Sequence, residues 1–280
     1  MKRRNWSSAA GRYAEADAIV VSLGKSGRTW LRVFLYSYFC AATNREFTLN
    51  ASELADSGVP KLLFTHDRWG ARTTRKLRDR MSGKHLVPPV ESRTKPIVLL
   101  VRDPRDVVVS LFFQVTKRSG RYGGALSRII RDPRFGIDSI VAIMNSWMEE
   151  WNGRDRFKLL RYEDCRKNTA AAFRDVLAFL GVQEIDETAF AHAVHFSSFE
   201  NMKKLEAAGR FKTKILSARD VNDPDSYKTR RGVVGGFKDY LGPEDVRYLD
   251  RAMSRLDERF GYGGERRAAD GITATGREAR

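Results

Sequence analysis

Residues 18–38, AIVVSLGKSGRTWLRVFLYSY, constrain the fold more than any other stretch of the chain. Ile19, Val20 and Val21 form a β-type apolar run that breaks at Leu23-Gly24. A short loop follows, Lys25-Ser26-Gly27-Arg28-Thr29. From Trp30 onward, Leu31, Phe34, Leu35 and Tyr38 recur at helical spacing. Strand, tight loop and helix start in that order aim free backbone N–H groups, the positive end of a helix dipole and a lysine at one point. Such a point binds a phosphate or a sulfate. The common nucleoside-triphosphate loop, GxxxxGK[ST], is a different arrangement, since it needs glycine where Ile19 stands.

Elsewhere the chain alternates short apolar runs with helical patterns. Strands are predicted at 18–23, Lys61–Phe64, Pro96–Val101 and Phe157–Arg161. The run PIVLLV is continuously apolar, as a strand buried on both faces of a parallel sheet must be. Helices are expected at 29–41, 71–81, after Pro104, at 137–151, 168–180, 186–195, from 197 and at Pro243–Phe260. Residues 42–60, 119–135 and 209–236 read as irregular or loop segments. The fold class is therefore α/β, three layers with a central parallel sheet. A basic leader (1–17), one domain (18–261) and a polar, disordered tail (262–280) are the expected divisions.

The 51 basic and 35 acidic residues leave a formal charge of +16, which points to anionic partners. Segment 61–105 is the most biased, with Arg72, Arg75, Lys76, Arg78 and Arg80 on one expected helix. That helix fits a solvated face as well as an acceptor-binding patch. No apolar run reaches membrane-spanning length, and the basic N-terminus lacks the apolar core of a signal peptide. Two cysteines, Cys40 and Cys165, make neither a disulfide framework nor a metal site, so a cytoplasmic setting is expected.

A second motif, PIVLLVRDPRDVVVS, delivers Arg102 to the carboxyl end of a buried strand, where open α/β sheets bind ligands. Ser110 lies about two helical turns further on and can face the same cleft. An arginine fork and a hydroxyl converging there suit a terminal phosphate.

KSGRTW and RDPRDVVVS together resemble two motifs of the sulfotransferases that use 3′-phosphoadenosine 5′-phosphosulfate (PAPS). In that family the loop reads KSGTTW, so Arg28 stands in place of threonine. The resemblance extends to RRGVVGGFK, similar to the family's RKGxxGDWK, with Gly236 and Phe237 in place of Asp and Trp. Tyr162 in RYED and Ser197-Ser198-Phe199 resemble segments that meet the adenine. His66, in Phe-Thr-His, resembles the histidine of a KTH segment that takes the acceptor's proton, although Phe64 replaces its lysine. Of the other histidines, His85 lies in a polar loop, and His192 and His195 lack further metal ligands.

The resemblance implies a nucleoside-triphosphate-hydrolase-like fold and sulfuryl transfer from PAPS, leaving 3′,5′-diphosphoadenosine (PAP), with no metal required. It implies His66, Lys25 and Ser110 as catalytic residues. It implies Lys25, Ser26, Gly27, Arg28, Thr29, Trp30, Arg102, Ser110, Tyr162, Ser197, Ser198, Phe199, Arg230, Arg231 and Gly232 as the nucleotide site. The acceptor is a small molecule or glycan hydroxyl, or an amine, neutral or anionic, and is not legible. Two rival readings are a P-loop small-molecule kinase and a basic nucleic-acid-binding protein, though no zinc, RNP or KH pattern is present. Oligomeric state stays open, since Lys238–Asp245 (KDYLGPED) departs from the family's KxTVxxxE dimerisation pattern.

Overall fold

The structure, a computed structural model, describes residues 9–67, 87–211 and 216–263. The predicted basic helix at 71–81, His85, nearly all of the tail and the first part of the leader lie outside the described residues.

Four parallel strands form the sheet: β1 (Ala18–Ser22), β2 (Leu62–Thr65), β3 (Ile97–Val101) and β4 (Phe157–Arg161). Their order is β2-β1-β3-β4. Because successive side chains point to opposite faces, β1 and β3 divide their apolar residues between two cores. Ile19, Val21, Ile97, Leu99 and Val101 pack with Trp147 and Trp151 on one side. Val20, Val98 and Leu100 pack with Phe34, Phe173 and Phe190 on the other. Burial on both faces explains why these strands read as unbroken apolar runs.

Helices cover both faces. α1 (Ala9–Glu15) precedes β1, and α2 (Arg28–Ala42) follows it. α3 (Pro89–Thr94) occupies part of the expected Pro88-Pro89 loop and leads into β3. α4 (Pro104–Phe113) leaves β3 with Asp103 as its cap, accepting from the Arg105 N–H, and Pro104 in its first turn. Its end continues into a π-helical turn, Gln114–Arg118, whose Ser119 N–H donates to the Gln114 carbonyl at 2.9 Å. Within the segment expected as a loop at 119–135, α5 (Leu126–Ile130) forms because Ile129 and Ile130 are buried.

α6 (Ile137–Trp151) matches its predicted span. After β4 come α7 (Tyr162–Lys167), absent from the sequence prediction, α8 (Thr169–Phe179), α9 (Glu187–Phe196) and α10 (Phe199–Ala207). The predicted closing helix stops early: α11 ends at Met253, and a short 3-10 turn covers Glu258–Phe260. Among the described residues no helix is long and apolar enough to cross a membrane.

Strand register positions the site. Val21 pairs with Thr65, Ser22 with Leu100, and Val101 with Arg161. All four strands therefore end at one edge, where the chain emerges as Gly24–Arg28, His66, Arg102 and Tyr162. Those are the segments the sequence motifs single out.

Candidate active site

A cavity of about 320 Å³ opens at this edge. Its lining includes Lys25, Gly27, Arg28, Thr29, Trp30, His66, Arg102, Ser110, Tyr162, Phe199, Arg230, Arg231 and Gly232. Thirteen of the sixteen residues expected from the sequence thus line one cavity. Ser26 is fully buried away from that lining. Ser197 is also fully buried, and Ser198 caps α10 by accepting from the Asn201 N–H. These last two serines shape the start of the helix that carries Phe199.

The loop between β1 and α2 is wound tightly. Lys25 (φ 74°) and Gly27 (φ 93°) both adopt left-handed backbone, and no side chain caps α2. The first N–H groups of α2 are therefore left for a ligand. A Cβ on Gly27 would lie 2.8 Å from Cδ2 of Tyr162, so glycine lets the tyrosine ring lie on the loop. Gly232 (φ 64°) does the same for Phe199, whose ring carbons would be 2.9 Å from an added Cβ. Trp30 meets Tyr162 edge-on at 5.7 Å, and the Arg166 guanidinium lies 5.9 Å from the rings of both Trp30 and Phe199. One end of the cavity is thus aromatic, suited to a flat base.

The other walls are cationic. Lys25, Arg28, Arg102, Arg166, Lys228, Arg230 and Arg231 line the cavity, against one carboxylate among the described residues, Asp106. Burial, reinforced by Lys228, Arg118, Arg102 and Arg230, pushes the Lys25 ammonium down to about 7. Burial and Arg118 likewise bring Lys228 down to about 8. Such crowding of like charge is what an anion would relieve. Lys25 Nζ donates to Gln114 Oε1 at 3.2 Å, and Arg102 donates to Asp106 at 3.2 Å and to the Val233 carbonyl at 2.8 Å. Arg102 also lies over the Tyr162 ring, at 4.5 Å. Its Nε, the Ser26 hydroxyl and the Trp30 indole N–H are buried with no partner among the described residues.

Sequence reasoning missed Lys228, Thr229, Gln114 and Asp106. Lys228 and Thr229 directly precede the Arg230-Arg231-Gly232 motif, and adjacency was the available signal. Both are held by the buried carboxylate of Glu206, which accepts from Lys228 N (2.7 Å), Thr229 N (3.0 Å) and Thr229 Oγ1 (2.5 Å). Asp106 accepts from the N–H groups of Gly235 (2.9 Å) and Phe237 (3.0 Å). Gln114 is brought in by the π-helical turn, a distortion common at functional sites and unmarked in sequence.

His66 Nδ1 lies 2.8 Å from the Ser22 carbonyl, so Nδ1 carries the proton and Nε2 is the bare nitrogen. Arg28 donates to Nε2 at 2.7 Å. Burial and the Arg28 charge hold the ring down to about 4, which keeps it neutral near pH 7. A neutral ring with a defined lone pair can take a proton, once Arg28 gives that lone pair up.

Comparison with known proteins places the whole in context. The sulfotransferase domain model matches residues 15–261. Cytosolic sulfotransferase 8 of Arabidopsis thaliana is 24% identical, over 84% of this chain and 75% of its own. Cytosolic sulfotransferase 16 of the same plant is 26% identical, over 87% and 76%. Among solved structures, mouse sulfotransferase SULT7A1 complexed with PAP superposes with a TM-score of 0.62 at 19% identity, covering 91% of this chain and 90% of that one. Retinol dehydratase, solved with androsterone and the inactive cofactor PAP, follows at 0.59 and 17%, covering 88% and 83%. With a family match spanning residues 15–261 and its motif residues gathered at one sheet edge, the chain belongs to the sulfotransferase domain family.

Proposed function

We propose that residues 18–261 form a single catalytic unit that transfers a sulfuryl group from PAPS to a hydroxyl acceptor, in the cytoplasm, with His66 as general base. The observation that carries the reading is the cavity itself, aromatic at one end and strongly cationic along its walls, at the carboxyl edge of a parallel sheet. The Arg102 Nε and Trp30 N–H, unpartnered among the described residues, fit a nucleotide with phosphates at both ends of its ribose.

The nucleotide supplies an activated sulfuryl group on its 5′-phosphate. Arg102, Ser110, Arg230 and Arg231 hold the 3′-phosphate, with Ser197 and Ser198 supporting Phe199 at the base. Trp30, Tyr162 and Phe199 enclose the adenine, and Gly232 lets the closing segment approach. Lys25 and the N–H groups of Gly27, Arg28 and Thr29 grip the 5′ end, with Ser26 buried beneath the loop. Lys25 regains its proton beside that anion and stabilises the negative charge developing on the leaving oxygen. His66 accepts the acceptor's proton at Nε2, while its Nδ1–H bond to Ser22 holds the ring in place. The acceptor side lies toward β2, across β1 from the base site.

Titration calorimetry with PAP, adenosine 5′-phosphate and ATP tests the donor, and labelled PAPS with His66→Ala tests the base. PAP is expected to bind most tightly, and the variant to bind PAP normally while transfer falls by about 10²-fold or more. Preference for ATP, or loss of PAP binding in His66→Ala, would refute the respective assignment.

A further inference from the structure

The Arg28 side chain is turned onto His66. Arg28 covers the nitrogen that the reaction needs, at 2.7 Å, and no carboxylate among the described residues pairs with it. Arg32 stands one turn further along the same face of α2, its guanidinium 4.4 Å from the Phe64 ring centre. Its Nε is buried with no partner among the described residues. Both arginines lie on the β2 side of β1, whereas Tyr162 and Arg102 emerge from β4 and β3. Two guanidinium groups, one on the base and one a turn beyond it over Phe64, without a carboxylate partner among the described residues, form a seat for a negative charge.

Resting on the function proposed above, we infer that the acceptor carries an anionic group, a carboxylate or an ester of a strong oxyacid, close to the hydroxyl it presents. Arg28 leaves His66 Nε2 for a bidentate pair with that anion, and Arg32 adds a second contact. The lone pair freed on Nε2 then takes the hydroxyl proton as the acceptor oxygen bonds to sulfur. The bond from sulfur to the 5′-phosphate breaks, its electron pair staying with the phosphate. A neutral acceptor offers Arg28 nothing in exchange, so the base stays covered. Specificity and activation of the base are in this way one event.

The test uses the full chain, labelled PAPS and two acceptors that differ by one charge, 4-hydroxyphenylacetate and its methyl ester. Transfer is compared between the wild type and Arg28→Met, a side chain of similar reach with neither charge nor donor. Thermal melting checks that the variant is folded, and Arg28→Lys replaces it if it is not. The wild type is expected to favour the acid by at least tenfold in kcat/KM. Arg28→Met is expected to lose that preference and to gain turnover on the ester, its base being uncovered; Arg28→Lys would keep the preference in weakened form. Equal use of acid and ester by the wild type, equal loss of both in Arg28→Met, or failure of both acceptors in a protein that binds PAP would overturn the inference and leave the donor reading standing. Failure to bind PAP would overturn both.

Discussion

Lys25 is held in place at a cost in stability. Its left-handed backbone (φ 74°) strains any residue with a Cβ, by about 1–2 kcal/mol. Its ammonium is also crowded by Lys228, Arg118, Arg102 and Arg230. Strain and like-charge repulsion persist at a position only when the rest of the fold imposes them, which is characteristic of functional loops. Lys25→Gly should therefore melt higher than the wild type, while turnover falls by roughly 10²-fold, the scale of a lost transition-state donor. Lys25→Met, which keeps the Cβ, should gain less stability for a similar loss of rate. Thermal melting and labelled-PAPS assays on both variants decide it; a destabilised Lys25→Gly would mean that the lysine holds the loop together. The lysine's presence in KSGRTW was legible, since residue type and spacing carry it. Its backbone state was not, because nothing local to a lysine specifies positive φ. Arg28 was equally opaque: as a letter it is a departure in the loop motif, and only the register of β1 with β2 brings it against His66.

Among the elements, the segment from Lys228 to Phe237 depends most on distant partners. Sequence marked its Arg230-Arg231-Gly232 core but placed it in a long loop, and the described part is indeed mostly irregular. Two buried carboxylates shape it. Glu206 on α10 takes the N–H groups of Lys228 and Thr229, and Asp106 on α4 takes those of Gly235 and Phe237. Tyr240 Oη accepts from both Arg230 (2.6 Å) and Arg231 (2.8 Å). Asp106 lies 129 residues from Gly235, a separation no local pattern can report. Strands β1 and β3, by contrast, were legible almost to the residue, because burial on both faces writes itself as an apolar run. Glu206→Gln exchanges one acceptor oxygen for an NH₂ that faces donors, at a cost of about 1–3 kcal/mol. That cost should appear locally, as faster amide exchange over 228–237 and roughly tenfold weaker PAP binding. Exchange that speeds up uniformly across the chain instead would make Glu206 a residue of the global core.

At the scale of the molecule, the net charge of +16 includes seven cations that line one cavity, at a cost to the free protein. Burial and mutual repulsion bring Lys25 down to about 7 and Lys228 to about 8, against an ordinary value of 10.5. The sign follows from proton counting: above pH 7 the unfolded chain holds more protons on these lysines than the folded one. Stability of the free protein from this source is therefore lowest below pH 7 and rises as pH climbs toward 10.5. His66, held down to about 4, adds a rise between about 4 and 6.5 in the same direction. A phosphate bound near these lysines would reverse the shift, so binding is expected to draw protons from solution. At pH 8.5 PAP is fully ionised and has none to release. Calorimetry at that pH, in buffers of different ionisation enthalpy, should register uptake of roughly one proton or more per PAP bound. Lys25→Met should reduce that uptake while leaving the Lys228 share. Binding with no proton uptake would mean that the lysines are already charged in the free protein, and that the cavity's cations are balanced by something other than the nucleotide.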